Sequence, residues 1–394
     1  MHMHTVKHIA CIGTGIMGAP IARHLLDSGF RVSVYNRTKS KADALIQAGA
    51  RWCDTVGDAV ADADFVLTML GLPSDVEEVY LSHNGILQSV KKGIWLCDCT
   101  TSSPELARDI AAAAAEQACF AFDCPVTGGE EGACRAQLTL LIGAQEKDVV
   151  QVLPVLKTFS SVQYFFGGAG KGQVAKLCNQ LSLASCMVGY CDALALARES
   201  GLDPNYVFDM ISHGMGASRA LTELAPKSID GDYKPGFKAL HLRKDLKLAL
   251  DQARELGLSL PGADGAYNLY DLLCDIGGKD LGTQALSLLY ESEAAGVAAG
   301  LDWSGYEPDP VLASEADAAA DAAPTADPAP MAAPAPEKEA SLAPTATTKS
   351  KATSLPAETP TTASASSPLQ NFSLARAREK NLQDSWISAS DDNA

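Results

Sequence analysis

The stretch Lys7-His8-Ile9-Ala10-Cys11-Ile12-Gly13-Thr14-Gly15-Ile16-Met17-Gly18 decides the fold of this chain. It predicts a short apolar strand, a glycine loop that contains Ile16 and Met17, and the start of a helix. Glycine at Gly13 permits a tight turn, and Gly15 lets the backbone approach a pyrophosphate. Gly18 lets the helix pack closely on the sheet, and the positive helix N-terminus attracts phosphate. The stretch therefore predicts a dinucleotide site.

Short apolar runs alternate with helical patterns from residue 6 to about 165. The predicted strands are Lys7–Ile12, Arg31–Tyr35, Asp64–Leu70, Gly93–Cys97, Cys119–Asp123 and Leu138–Ile142. The predicted helices between them include Ile16–Ser28, Lys39–Ala48, Val76–Leu81 and Pro104–Gln117. This alternation predicts an α/β fold with a parallel sheet covered on both faces. We assign residues 6–167 to a Rossmann-type dinucleotide-binding domain.

The pattern changes after Gly172, where no convincing strand follows. The predicted helices are Gln173–Ser200, Asp203–Ile211, Phe237–Leu256, Ala263–Cys274 and Gln284–Ala295. The first of these has about 28 residues and a length on the order of 40 Å. We therefore predict an all-α domain over residues 168–298, for substrate binding and dimerisation, with the hinge near residues 166–172.

Residues 303–394 have the composition of a low-complexity disordered tail. Eleven of the chain's 20 prolines lie after residue 307, among Ala, Ser and Thr. Such a segment buries too little apolar surface to offset its chain entropy. An unknown partner of this tail is left open, because Phe372–Ile387 carries apolar residues among Arg and Lys.

The formal net charge of −17 is concentrated in the C-terminal tail. Residues 301–394 contain 14 acidic and 6 basic residues, so they account for eight of the net negative charges. The remainder is mildly acidic, which argues against nucleic acid as the main partner. The most apolar helical stretch, Leu181–Ala197, is interrupted by Asp192 and shorter than about 20 residues, so no membrane span is expected.

The 11 cysteines indicate reduced thiols in a reducing compartment, because their number is odd and no CxxC pair occurs. The spacing Cys97-Asp98-Cys99 is wrong for a zinc site, so no metal is predicted. The apolar run Ile9–Ile12 begins too near Met1 to leave room for a presequence. We therefore expect a cytoplasmic protein.

The end of the second predicted strand, Tyr35-Asn36-Arg37-Thr38, selects the cofactor. NAD enzymes usually place an acid here, which would repel a 2′-phosphate. Arg37 can instead pair with that phosphate, and Asn36 and Thr38 can add hydrogen bonds. We predict NADP(H), with Met69 and Leu70 also in the cofactor site. The alternative is that Arg37 is an ordinary solvated residue.

A lysine follows a second glycine-rich stretch in Gly167-x-x-Gly170-x-Gly172-x-x-x-Lys176-x-x-Asn179-Gln180. Lys176 and Asn179 share one helix face at a spacing of three residues. In a dry cleft, a lysine ammonium can donate a proton to an oxygen while hydride reaches the adjacent carbon. The alternative is a surface lysine on an amphipathic helix.

Two further loops follow predicted strand ends, at the edge where open α/β sheets bind ligands. Thr127-Gly128-Gly129 can form an anion-binding nest of backbone N–H groups, or it can be a plain turn. Thr100-Thr101-Ser102 follows a neighbouring strand.

The order and spacing of these motifs, together with Phe237 running to Lys244-Asp245-Leu246, resemble the β-hydroxyacid dehydrogenases over residues 6 to about 295. The Asn36-Arg37-Thr38 ending is most similar to the NADPH-using glyoxylate/succinic semialdehyde reductase branch. The resemblance implies that Lys176 is the acid/base and that Asn179 and Thr127–Gly129 bind substrate. It also implies that Thr101 and Lys244 contact the cofactor and that Phe237 and Asp245 lie near the active site, although a core phenylalanine and a solvated Lys/Asp pair are the alternative.

We therefore expect an NADPH-dependent reductase of small carboxylate-bearing aldehydes or 2-oxo acids, in a homodimer or homotetramer. One alternative is an NAD(P)-dependent 3-hydroxyisobutyrate dehydrogenase, and another is a non-catalytic interaction protein with the same fold. Two stretches depart from the family pattern. Gln180 stands where a second Asn is usual, and Arg135-Ala136-Gln137 replaces a segment that contains glycine. Ala136 fits only if its φ angle is ordinary.

Overall fold

The computed structural model describes residues 6–305, and a parallel sheet is the centre of its N-terminal half. Its strands are β1 (His8–Ile12), β2 (Arg31–Tyr35), β3 (Arg51–Trp52), β4 (Phe65–Thr68), β5 (Trp95–Asp98) and β6 (Phe120–Asp123). They lie in the order β3-β2-β1-β4-β5-β6, and every pairing is parallel. The order reverses direction between β1 and β4, which opens a crevice at their carboxyl ends. The predicted Rossmann-type domain is confirmed.

Helices cover both faces of this sheet. They are α1 (Gly18–Asp27), α2 (Asp43–Gln47), α3 (Val56–Val60), α4 (Pro73–Leu81), α5 (Ile86–Ser89), α6 (Pro104–Glu116), α7 (Gly129–Cys134), α8 (Glu146–Val149) and α9 (Leu153–Leu156), with a 3₁₀ turn at Lys39–Ala42. Ile9 and Cys11 of β1 pack in one apolar cluster, while Ala10 and Ile12 pack in another. This alternation follows from the two-residue period of a strand and gives the sheet two buried faces.

A second, smaller sheet corrects one prediction. It contains β7 (Val126–Thr127), β8 (Leu138–Ile142) and β9 (Ser160–Phe165), with an antiparallel β7–β8 pair and a parallel β8–β9 pair. The prediction that Leu138–Ile142 joins the large parallel sheet was wrong. An apolar run reports that a strand is buried but not which neighbour it pairs with. The two-residue strand β7 is too short to have a pattern.

The C-terminal half is helical, as predicted. Its helices are α10 (Lys171–Glu199), α11 (Pro204–Ser212), α12 (Arg219–Ile229), α13 (Ala239–Glu255), α14 (Pro261–Asp275) and α15 (Glu293–Ala298). The predicted helix Gln284–Ala295 is instead a 3₁₀ segment, Thr283–Tyr290, followed by α15. Residues Thr283–Leu289 are all buried, so packing on every side overrides the local preference for an α-helix. The prediction that the helix starts at Phe237 was also early, since α13 begins at Ala239.

Helix α10 has 29 residues, close to the predicted length, and its apolar part is longer than the stretch Leu181–Ala197 considered above. By length and composition it qualifies as a membrane span, so the argument from a short apolar run does not hold. A core helix of a soluble protein meets the same criterion. In the structure Met187, Tyr190 and Leu194 of α10 pack in the apolar cluster of the helical half, which accounts for its apolar character.

The packed chain extends past the predicted end of the helical domain. Leu301 and Trp303 are buried in the same cluster as α10 and α14. The predicted boundary at residue 298 and the start of the tail at residue 303 were therefore too early. Residues 1–5 and 306–394, which include most of the predicted tail, lie outside the described residues.

Ala136 does not have the ordinary backbone angle that the sequence analysis required. Its φ is +55°, in the left-handed region that favours glycine. The residue follows α7 and leads into β8, where its N–H donates to the Ala133 carbonyl oxygen. The departure from the family's glycine therefore places strain at this turn.

We expect Ala136→Gly to raise the free energy of unfolding by up to about 1 kcal/mol, because relief of the left-handed strain exceeds the entropy cost of glycine. Urea unfolding measures this change. Ala112→Gly, in the exposed interior of α6, is the control and should lower stability by about 1 kcal/mol. Equal destabilisation by the two substitutions would contradict the strain at Ala136.

Candidate functional site

The glycine loop lies at the point where the strand order reverses. Gly13 has a φ of +96°, and a side chain there would collide with the Met69 carbonyl oxygen. A side chain at Gly18 would collide with the Gly13 carbonyl oxygen, so the loop and α1 touch through their backbones. A Cβ atom at Gly15 would meet nothing within 4 Å, which leaves this backbone open to a ligand. These three positions have the geometry that a pyrophosphate site requires.

Asn36 supports the glycine loop. Its Oδ1 accepts the Thr14 N–H at 3.1 Å, and its Nδ2 donates to the Thr38 carbonyl oxygen at 2.9 Å. Both polar ends of its amide are therefore engaged within the loop. The structure therefore gives Asn36 a bracing role, and its hydrogen bond to the cofactor stays a prediction.

Arg37 and Thr38 are exposed at the end of β2. The Arg37 guanidinium is 2.9 Å from a carboxylate oxygen of Asp75, and its side chain is 75% exposed. Asp75 itself accepts the Leu72 N–H at the start of α4. The ion pair links the residue after β2 to the first turn of α4, and it leaves most of the Arg37 side chain in solvent.

Four further cofactor candidates surround the crevice. Ile16 projects from the loop and is half exposed, and Met17 packs against the core. Met69 donates its N–H to the Ile12 carbonyl oxygen, and the Leu70 N–H donates to the Thr100 hydroxyl at 2.8 Å. The carboxyl ends of β1, β4 and β5 are thereby joined around one opening.

A buried carboxylate joins α10 to the sheet. Asp123 ends β6 and accepts the Gly170 and Gln173 N–H groups, each at 2.8 Å. Burial raises the pKa of Asp123, and hydrogen bonds from Gly170 and Gln173 oppose that rise. A side chain at Gly172 would collide with the Leu141 carbonyl oxygen, which explains a glycine of the segment before Lys176.

Gln173 makes a second connection from α10 to the sheet. Its Oε1 accepts the Ser102 N–H at 2.9 Å, and its Nε2 donates to the Thr100 carbonyl oxygen at 2.7 Å. The whole side chain is buried. The helix that carries Lys176 is therefore held against the Thr100–Ser102 loop by two hydrogen bonds, one from each end of the Gln173 amide.

Lys176 lies within a charged and buried group. Its side chain is buried, and burial lowers its pKa from the ordinary lysine value. The nearby charge of Asp245 raises this pKa and that of Lys244 lowers it further. The Lys244 ammonium contacts the Thr101 carbonyl oxygen and lies 3.0 Å from Asp245 Oδ1. The structure thus brings three predicted residues from α10 and α13 to the predicted cofactor loop.

Gln180 is part of the same network and not a solvent-exposed variation. Its Nε2 donates to Asp245 Oδ2 at 2.7 Å, and its Oε1 accepts from Asn179 Nδ2 at 2.9 Å. Both Gln180 and Asp245 are buried, whereas Asn179 reaches the surface of the helix. Gln180 therefore orients the side chain of Asn179. The side-chain oxygen Oδ1 of Asn179 is left available to accept a hydrogen bond from a ligand hydroxyl.

The remaining substrate candidates are at the rim. Thr127 pairs with Thr139 between β7 and β8, and Gly128 and Gly129 have φ of +126° and +63°. These glycines are exposed, and their backbone angles explain why glycine is needed there. Phe237 packs against the helical core, and its ring stacks on His241 with 6.4 Å between centroids.

Sequence reasoning missed the residues that hold the site together. Asp123 was only the last residue of the predicted strand Cys119–Asp123, and Gln173 stood at an unassigned position of the lysine segment. Only the pairing of β5 with β6 and the placement of α10 bring these side chains to their backbone partners. The one available signal was polarity at positions flanked by apolar residues.

Comparisons with known proteins agree with this geometry. Residues 8–168 match the family described as the NAD binding domain of 6-phosphogluconate dehydrogenase, and residues 170–290 match the NAD-binding domain of NADP-dependent 3-hydroxyisobutyrate dehydrogenase. The fold and site thus define an oxidoreductase that uses a nicotinamide dinucleotide. The chain belongs to the β-hydroxyacid dehydrogenase family.

Individual relatives cover nearly the same part of the chain. The oxidoreductase YkwC of Bacillus subtilis is 43% identical over 72% of this chain and 99% of its own. The 3-hydroxyisobutyrate dehydrogenase of Pseudomonas aeruginosa is 34% identical over 67% of this chain and 91% of its own. The structure of Mycobacterium tuberculosis 3-hydroxyisobutyrate dehydrogenase with L-serine has a TM-score of 0.67 and 30% identity, covering 72% and 98% of the two chains.

We expect Asp123→Asn to lower the free energy of unfolding by about 2–3 kcal/mol, because an amide can accept only one of the two N–H groups and turns its own NH₂ toward the other. Urea unfolding checks this value. The matched control is Asp109→Asn on the exposed side of α6, which should change stability by less than about 0.5 kcal/mol. A neutral effect at Asp123 would show that its carboxylate does not hold α10.

Proposed function

We propose that this protein uses NADPH to reduce small aldehydes or 2-oxo acids that carry a carboxylate, such as glyoxylate and succinic semialdehyde. The observation that carries the proposal is the Lys176 ammonium, buried beside Lys244 and Asp245 next to the loop that ends β5. Burial lowers the pKa of Lys176 toward the range in which a proton can be both given and taken back.

Each residue of the site has a role in this reaction. A nicotinamide cofactor held at the Gly13–Gly18 loop would supply the hydride that the carbonyl carbon of the substrate accepts. Lys176 Nζ donates a proton to the carbonyl oxygen as the charge develops there. The Asn179 side chain, oriented by Gln180, hydrogen-bonds the substrate. The backbone N–H groups of Thr127–Gly129 receive the substrate carboxylate.

The charges around Lys176 suit a reversible proton transfer. Lys244 favours release of the proton, because a second ammonium nearby raises the free energy of the charged form. Asp245 opposes this effect by favouring the charged form of Lys176, which is the form that can donate a proton. The ion pair between Lys244 and Asp245 sets the balance between their opposite effects on the pKa of Lys176.

A second candidate is the oxidation of a hydroxy acid such as 3-hydroxyisobutyrate or L-serine. The similarity to a 3-hydroxyisobutyrate dehydrogenase solved with L-serine favours it. The same Lys176 would then accept the proton. Turnover with glyoxylate, succinic semialdehyde, tartronate semialdehyde, methylmalonate semialdehyde, 3-hydroxyisobutyrate and L-serine distinguishes the two, and a preference for the last two compounds would overturn the reductase proposal.

We also propose that the protein is a homodimer or homotetramer. Tyr206 and Met210 on α11 are 77% and 60% exposed, and Leu202 before it is 56% exposed. Exposed apolar groups that cluster on one helix are typical of subunit interfaces. Sedimentation analysis of the full chain gives the oligomeric state.

Lys176→Ala should reduce kcat by roughly 100-fold or more while leaving cofactor affinity unchanged, because only the proton transfer is lost. Lys171→Ala is the control, since Lys171 is the exposed first residue of α10. Steady-state kinetics and cofactor fluorescence titration measure the two effects. If the Lys176 variant retained its activity, Lys176 would have no catalytic role.

The rate of reduction should fall as pH rises through the pKa of Lys176, because the neutral amine has no proton to donate. Asp245→Asn keeps an acceptor for Gln180 but removes the charge that raises this pKa. The variant's rate should therefore begin to fall at a lower pH. Asp251→Asn, at an exposed ion pair of the same helix, should leave the profile unchanged. A shift to higher pH in the Asp245 variant would refute the assignment.

Arg37→Ala should lower kcat/KM for NADPH by about 10- to 100-fold and leave that for NADH nearly unchanged, since it removes a charged hydrogen bond to the 2′-phosphate. The control is Arg31→Ala, exposed at the opposite end of β2. A wild-type preference for NADH, or an equal loss with both cofactors, would contradict the role of Arg37.

A further inference from the structure

Three cysteines meet beneath the edge of the sheet that carries the site. Cys97 lies on β5 and Cys99 two residues further on, so both point to the same face. Asp98 pairs with Asp123 across β5 and β6, so Cys99 and Cys124, the residues that directly follow these two strands, lie beside each other. The three sulfur atoms lie within 4.8 Å of one another, and Cys97 Sγ is 3.8 Å from Cys99 Sγ.

This spacing is close to that of sulfur atoms bound to a common centre. Bonds of about 2.3 Å to one ion place neighbouring sulfur atoms about 3.5 to 4 Å apart. The exposed fractions of Cys97, Cys99 and Cys124 are 0%, 1% and 0%. Within residues 6–305 the group contains no carboxylate or imidazole as a fourth member. The cluster thus offers three soft ligands in a dry environment.

Net charge selects the ligand. Three thiolates leave a charge of −2 around a monovalent ion and −1 around a divalent ion, and burial of net charge is costly. A trivalent centre gives a neutral product. A small uncharged reagent can also enter an apolar interior more readily than an ion can.

We propose that Cys97, Cys99 and Cys124 form a binding site for a trivalent thiophilic species, of which arsenous acid, As(OH)₃, is the accessible representative. Each step exchanges one As–OH bond for one As–S bond. The thiol proton leaves with the hydroxyl group as water, so three thiols and one As(OH)₃ yield As(SCys)₃ and three waters. No element changes its oxidation state.

Occupation of this site should affect the cleft. Cys99 is followed directly by Thr100, whose hydroxyl accepts the Leu70 N–H, and Cys124 lies three residues before Thr127. Drawing the three sulfur atoms together would displace the ends of β5 and β6. Inhibition of turnover is therefore a second expected effect, and it rests on the proposed function, whereas binding does not.

Native mass spectrometry of the full chain, reduced and then incubated with arsenous acid, tests the binding. The expected wild-type product is one arsenic atom bound per chain with the loss of three protons. Cys97→Ala, Cys99→Ala and Cys124→Ala should each lose this product. Cys191→Ala, which removes a buried thiol of the helical half, should retain it.

Binding of methylarsonous acid, CH₃As(OH)₂, distinguishes a variant that has lost one sulfur ligand from a variant that fails to fold. It forms two As–S bonds, and the space left by a cysteine-to-alanine change can accept its methyl group. Each single cluster variant should therefore bind methylarsonous acid although it no longer gives the arsenous acid product in which three protons are lost. Wild-type protein that takes up no arsenic, or cluster variants that bind arsenous acid like the wild type, would overturn the proposal. Binding without any change in turnover would refute only the link to the cleft.

Discussion

The site depends on one buried carboxylate. Asp123 ends the last strand of the large sheet and receives two N–H groups from the start of α10. A helix N-terminus carries partial positive charge and unpaired N–H groups, so a carboxylate there satisfies both. Because Lys176 lies within two turns of this contact, its position relative to the cofactor loop follows from the position of Asp123.

Gln173 and Lys244 extend the same connection. Gln173 fixes the first turn of α10 to the loop after β5. Lys244 fixes α13 to Thr101, which lies between the two loop residues that Gln173 contacts. The loop is thus the common partner of both helices. This arrangement couples the electrostatic environment of Lys176 to the cofactor side of the cleft, since Lys244 both contacts the loop and lowers the pKa of Lys176.

Much of the fold could be predicted from the sequence, and several candidate site residues could be named, because their signals are local. The glycine loop, the strand–helix alternation and the helical C-terminal half each depend on short-range periodicity or backbone freedom. The strand β8 was recognised but assigned to the wrong sheet, and Thr283–Tyr290 was assigned to the wrong kind of helix. Both errors concern buried apolar segments, in which long-range packing decides the outcome.

Gln180 illustrates what sequence cannot supply. As a departure from the family pattern it drew attention to the substrate side, but its partners Asp245 and Asn179 emerged only when α10 and α13 packed together. The thiol cluster is a similar case, since the spacing of Cys97 and Cys99 excluded a zinc motif and Cys124 comes from the next strand.

The sequence by itself determined the strand–helix order and the type of the N-terminal domain, and it indicated Lys176 as the candidate acid, because each signal lies within a short segment of the chain. Only the tertiary structure decided how Asp123, Gln173 and Gln180 act and which three cysteines meet. Those contacts join residues that are far apart in the chain, and no local pattern records which strands and helices will be neighbours.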